Sequence, residues 1–126
     1  MDIWVQMVLL SQFVPVIMIA FGIYCRNYGG PKRINHIFGY RSPMSKINMD
    51  TWKFAHAYIG KPLKYAGLIL IPVSIAAMFF VRGHDDGFII TFAMIAIGAQ
   101  IAVIVVLIVF TELALRKTFD YNGMRK

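Results

Sequence analysis

The chain has 126 residues, of which 59% are apolar and 15% charged, and it carries a net charge of +7. Soluble domains carry about 25% charged residues, so this balance excludes an ordinary water-soluble fold and points to lipid as the solvent. One cysteine, Cys25, excludes an intramolecular disulfide. The basic excess sits beside apolar runs, which identifies it with membrane topology and lipid headgroups rather than with nucleic acid.

Residues 3–24 are the first apolar run. As a helix it is about 33 Å long, against roughly 30 Å for a hydrocarbon core. Asp2 stands where a signal peptide would carry positive charge, and no small-residue cleavage pattern follows, so a retained span is expected. Polar side chains in a span face other helices. Gln12 with Pro15 therefore marks an inward face, read as a helix–helix hydrogen bond with a mild kink or as part of a solute pathway. Asn27-Tyr28-Gly29-Gly30-Pro31 cannot continue a helix. Lys32 and Arg33 follow at headgroup level, and Ile34-Asn35-His36-Ile37-Phe38 is a short amphipathic segment suited to the interface.

The polar stretch Gly39–Lys61 separates the first run from the second. Gly39 permits a sharp turn, and Ser42 before Pro43 is driven toward extended backbone. Asn48 can cap a helix whose first turn holds Asp50. From there Trp52, His56, Ile59 and Leu63 fall on one face, and Pro62 is expected to bend the helix where it enters the membrane. The second span is expected at 63–82, with Pro72 and Ser74 near its middle. A polar turn, 82–87, leads to a third span at 88–115, longer than the roughly 20 residues a crossing needs. Gly98 and Ala102 are spaced for close helix contact within the chain. Gln100 lies mid-span, and Glu112 is the only acidic residue within an apolar run.

Eight Lys and Arg lie in 26–64 and four in the tail 116–126, against one in the turn 82–87 and none before the first span. By the positive-inside rule the loop 25–62 and the C-terminus are cytoplasmic, with the N-terminus and the His84 turn outside. The expected architecture is all-α: one integral membrane domain, 1–126, with three transmembrane helices and a structured cytoplasmic loop with an interfacial helix between the first and second.

No nucleophile–base pattern, Walker loop, dinucleotide glycine motif or HExxH occurs. Cys25, His36 and His56 match no metal spacing, so neither a metal nor another cofactor is expected, and no catalytic residue is assigned. Arg41 offers a planar fork suited to phosphate or carboxylate, or a plain topology charge. Trp52 reads as an interface anchor, His56 as a packed or a pH-sensing histidine, and Lys61 as a headgroup contact. Glu112 is expected to form an ion pair with Arg41 first and Lys61 second, because an unpartnered carboxylate at that depth is costly.

Gly39-Tyr40-Arg41-Ser42-Pro43, followed by Thr51-Trp52, Ala55-His56 and Gly60-Lys61, resembles the signature of the SdpI family of small bacterial membrane proteins, in a short form with only the three-helix signature region. The resemblance implies an inner-membrane protein that protects against, or senses, a membrane-active peptide toxin by binding. It implies a peptide toxin or a cytoplasmic regulator as partner besides the phospholipid bilayer. Tyr40, Arg41, Ser42, Pro43, Trp52, His56, Lys61 and Glu112 are the candidate binding residues. Two other readings stand beside it. One is an oligomeric transport or channel unit using Gln12, Gln100 and Glu112. The other is a lipid-directed enzyme with its polar site in the central stretch and Glu112, Asp50 or His56 as acid or base.

Overall fold

Four helices run through the computed structural model, which describes residues 2–35 and 37–126. They are α1 (Ile3–Ser11), α2 (Phe13–Tyr28), α3 (Met49–Phe79) and α4 (Asp86–Thr118). Helices α1 and α2 together, α3, and α4 give three lengths long and apolar enough to cross a membrane. The described residues contain no strand, only an isolated bridge between Phe119 and Arg125. The interfacial reading of residues 34–38 includes His36, which lies outside the described residues.

Proline chemistry explains the division of the first span. Pro15 has no N–H, so the Ser11 carbonyl loses its partner one turn on. Gln100 of α4 supplies the missing donor, its Nε2 lying 2.9 Å from that carbonyl. At the interruption, Gln12 turns its side-chain amide to Ser74 of α3, with Nε2 2.8 Å from Oγ. Ser11 and Gln12 thus tie this span to α3 and α4.

Asn48 caps α3 as the sequence predicts. Its Oδ1 accepts from the Thr51 N–H at 2.9 Å, and the Thr51 hydroxyl oxygen accepts from the Asn48 N–H at 3.1 Å. This reciprocal box satisfies donors a helix start otherwise leaves open. The helix then runs uninterrupted through both Pro62 and Pro72. It packs on α2 through small residues. A Cβ at Gly22 would sit 2.8 Å from the Gly60 carbonyl oxygen, and one at Gly60 would sit 2.7 Å from the Arg26 backbone nitrogen. Only glycine allows backbones this close.

Besides the Gln100 bond at its middle, helix α4 joins an apolar cluster near each end. Ile89 and Ala93 join Met78 and Val81 in one cluster, with Trp4 against it. Leu115 and Phe119 join Tyr40, Ala55 and Ile59 in the other. Gly98 and Ala102 do not make the expected contact. Both are exposed, and a Cβ at Gly98 would meet nothing within 4 Å. Gly98 lies about 200° around the helix from the buried Gln100, so it faces away from the bundle.

The basic tail also folds back. Phe119 is buried, the Asn48 side-chain amide donates to the Gly123 carbonyl at 2.8 Å, and Arg125 grips Asp50 through two bonds of 2.9 and 3.0 Å. The tail therefore abuts the start of α3 and, through it, the polar loop.

Candidate functional site

Residues 29–35 and 37–48 pass beneath the bundle without forming a helix, and α3 holds them through His56. The imidazole packs against Gly30 and Gly39, whose φ values of +74° and +111° few other residues adopt. A side chain at Gly30 would run into the ring itself. His56 Nε2 accepts from the Tyr40 N–H at 2.9 Å, so Nδ1 carries the hydrogen and donates to the Trp52 carbonyl at 2.8 Å. Trp52 Nε1 donates to the Pro31 carbonyl at 2.9 Å. Trp52 is fully buried. It is a buried clamp on the loop, which corrects its reading as an interface anchor. Its helical face is turned inward by the same periodicity that buries His56, Ile59 and Leu63.

Ser45 closes the turn. Its Oγ lies 3.0 Å from the Tyr40 carbonyl and 2.9 Å from that of Ser42, while the Thr51 hydroxyl donates to the Ser45 carbonyl at 3.1 Å. Asn35 steadies the other side. Its carbonyl accepts from Arg41 Nε at 2.9 Å, and its Oδ1 accepts from the backbone N–H groups of Ile37 and Phe38.

The Tyr40 hydroxyl donates to Glu112 Oε1 at 2.5 Å. Burial, then the hydrogen bond to Glu112 and its negative charge, push the Tyr40 phenol well above its ordinary range, with a smaller opposing contribution from Ser42. The expected ion pair is absent. Among the described residues the one ion pair is Arg125–Asp50, and neither Arg41 nor Lys61 comes within 4.0 Å of the Glu112 carboxylate. A neutral hydroxyl gives the carboxylate a strong hydrogen bond without desolvating a second charge.

Above the loop lies a cavity of about 620 Å³. Its walls are Ile17, Met18 and Phe21 of α2, Ile59 and Leu63 of α3, and Ile104 and Ile108 of α4. Its polar end is made by Tyr40, Arg41, Ser42, Pro43 and Glu112. Five of the eight candidate residues are therefore brought to one cavity. Trp52 and His56 stand behind it as supports. Lys61 lies apart, on a different recess with Arg26, Tyr58 and Phe110. Gln12 and Gln100 belong to the separate cluster with Ser11 and Ser74. Asn35 and Ser45 were not singled out from the sequence. The Ser-x-x-Ser spacing around Pro43 was the available signal, since the Ser42 hydroxyl accepts from the Ser45 N–H at 3.1 Å.

Residues 32–111 match the model of the SdpI/YfhL protein family. The chain belongs to that family. The matched region contains the loop from residue 32 onward, all of α3 and most of α4, and it ends one residue before Glu112. Comparison with curated proteins and with solved structures gives no match.

Proposed function

We propose that this SdpI-family chain acts by binding, and that its ligand is a membrane-active peptide against which it protects or which it reports to a cytoplasmic regulator. The supporting observation is the cavity built from the family's own motif. Its apolar walls suit side chains already partitioned into lipid, and Arg41 and Glu112 at its polar end suit an amphipathic ligand that carries charge. A rigid loop underneath, fixed through Trp52, His56 and Ser45, keeps that end in place. Catalysis needs an acid or base free to exchange protons with substrate. His56 is committed on both nitrogens and Asp50 is held by Arg125, which leaves Glu112, engaged through one oxygen only, without a second acid or base beside it.

The asymmetry of basic residues supports a bacterial inner-membrane location with the N-terminus outside and the loop in the cytoplasm. The cavity then opens near the cytoplasmic leaflet. Expression in a host sensitive to a membrane-active peptide toxin tests the reading. The chain should raise the tolerated toxin concentration, and Arg41→Gln should lower that gain at unchanged protein level. Equal sensitivity with and without the chain, across hosts sensitive to such peptides, would remove the immunity role.

A further inference from the structure

We propose that the same cavity takes a phospholipid whose headgroup carries both a phosphate and a primary ammonium, with the phosphate on Arg41, the ammonium on Glu112 and one acyl chain between α2 and α4. The proposal rests on the cavity being the binding site, and it concerns the occupant of that cavity when no peptide is bound.

Charge complementarity carries the argument. Arg41 and Glu112 line one cavity, yet they do not come within 4.0 Å of each other. The loop fixes Arg41 through its Nε–H, which Asn35 accepts. Its two terminal nitrogens make no bond to another described residue, so a planar fork is left for an anion. Glu112 is likewise half used: Oε1 accepts from Tyr40, and no other described residue hydrogen-bonds Oε2. Charges at membrane depth are costly unless something pairs them. One zwitterionic headgroup supplies both counter-charges, with opposite signs in the order the cavity presents them.

The remainder of the cavity selects for a chain. Ile17, Met18, Phe21, Leu63, Ile104 and Ile108 offer no polar group. A headgroup alone would leave this surface uncovered, whereas an acyl chain from the surrounding leaflet covers it. A choline headgroup carries its positive charge without an N–H, so it cannot donate to Glu112. A glycerol headgroup has no positive charge. The cavity should therefore rank ethanolamine lipids first.

The test is native mass spectrometry of the full chain released from detergent with defined lipids of identical acyl chains. Phosphatidylethanolamine should be retained about tenfold more tightly than phosphatidylcholine or phosphatidylglycerol, the equivalent of one charge-assisted hydrogen bond. Arg41→Gln should weaken all three lipids. Glu112→Gln, which keeps an acceptor for the Tyr40 hydroxyl, should erase the preference for ethanolamine while leaving phosphatidylglycerol retention unchanged. Ile104→Trp, filling the chain end of the cavity from α4, should reduce retention of every lipid without touching either charge. Soluble phosphoethanolamine, which has the headgroup and no chains, should not displace bound lipid. Equal retention of the three lipids, a preference that survives Glu112→Gln, or displacement by the soluble headgroup would each overturn the proposal. No peptide is present in this titration, so its failure leaves the immunity reading to its own assay.

Discussion

The bond between Tyr40 and Glu112 joins the loop to α4, and removing its hydroxyl measures what that junction contributes. Tyr40→Phe deletes one oxygen and keeps the buried ring in place between His56 and the Leu115 cluster. A hydrogen bond to a charged group contributes about 1.5–3 kcal/mol. Glu112 is only partly buried, so water can replace part of the lost bond and the lower half of that range applies, about 1.5–2 kcal/mol. Glu112→Gln keeps an oxygen acceptor but removes its charge, and should lose about 1 kcal/mol. Because the two side chains touch, the double variant should lose less than the sum by about 1 kcal/mol, whereas groups without a shared contact add within about 0.5 kcal/mol. Arg41→Gln combined with Glu112→Gln should fall in that second class. Equilibrium unfolding in mixed micelles, followed by far-ultraviolet circular dichroism, gives all five values. A strong coupling between Arg41 and Glu112, or a Tyr40→Phe loss below about 0.5 kcal/mol, would refute the hydroxyl as the partner of this carboxylate.

The raised phenol of Tyr40 sets the sign of a pH effect. The folded state holds that proton more tightly than the unfolded chain, so its contribution is complete below about pH 10 and is lost as pH rises toward the folded value; alkaline denaturation should be shallower in Tyr40→Phe, and identical alkaline profiles would contradict the shift. Gly60→Leu should cost about 1–3 kcal/mol by forcing α2 and α3 apart, while Gly98→Leu should change thermal stability by less than about 0.5 kcal/mol; equal effects would mean that the close approach at Gly22 is wrong. A cysteine at the exposed His84 should react with an impermeant thiol reagent in intact cells and one at the exposed Lys32 only after permeabilisation, with native Cys25 silent because it is buried; the reverse pattern overturns the orientation. Amide hydrogen exchange should be slow at Tyr40 and through residues 49–59, and rapid exchange there would remove the fixed loop on which the site depends.

How much of this was legible in the sequence depended on whether the signal was local. The Asn48 cap lies three residues from Thr51, and Trp52, His56, Ile59 and Leu63 repeat at helical spacing, so both could be read directly. Gln12 with Pro15 was legible as an inward face for the same reason, although its partners Ser74 and Gln100 were not. Spacing alone did not determine direction. Gly98 and Ala102 have the right interval for helix contact and face the wrong way, because Ile89, Ala93 and Gln100 fix how α4 is turned. Trp52 carried the chemistry of an interface anchor, and only its bond to Pro31, twenty-one residues earlier, draws it inward. Charge arithmetic named Arg41 and Lys61 as partners for Glu112, but the loop delivers the neighbouring Tyr40 hydroxyl to the carboxylate instead. Lys61 sits in the motif yet projects from another side of α3, a separation that sequence adjacency hides.

The fold-back of residues 119–125 bears on how the site comes into being during synthesis. The loop residues that form the polar end of the cavity leave the ribosome long before their partners on α4 and in the tail. Tyr40 waits seventy-two positions for Glu112, and Asn48 and Asp50 wait seventy-five for Gly123 and Arg125. Until α4 has entered the membrane, the loop has only its attachment to α3 through His56 and Trp52. A nascent chain halted after α3 would thus carry the family's most recognisable residues and still lack the α4 wall of the cavity. The cavity is complete only once the third crossing packs over the first two.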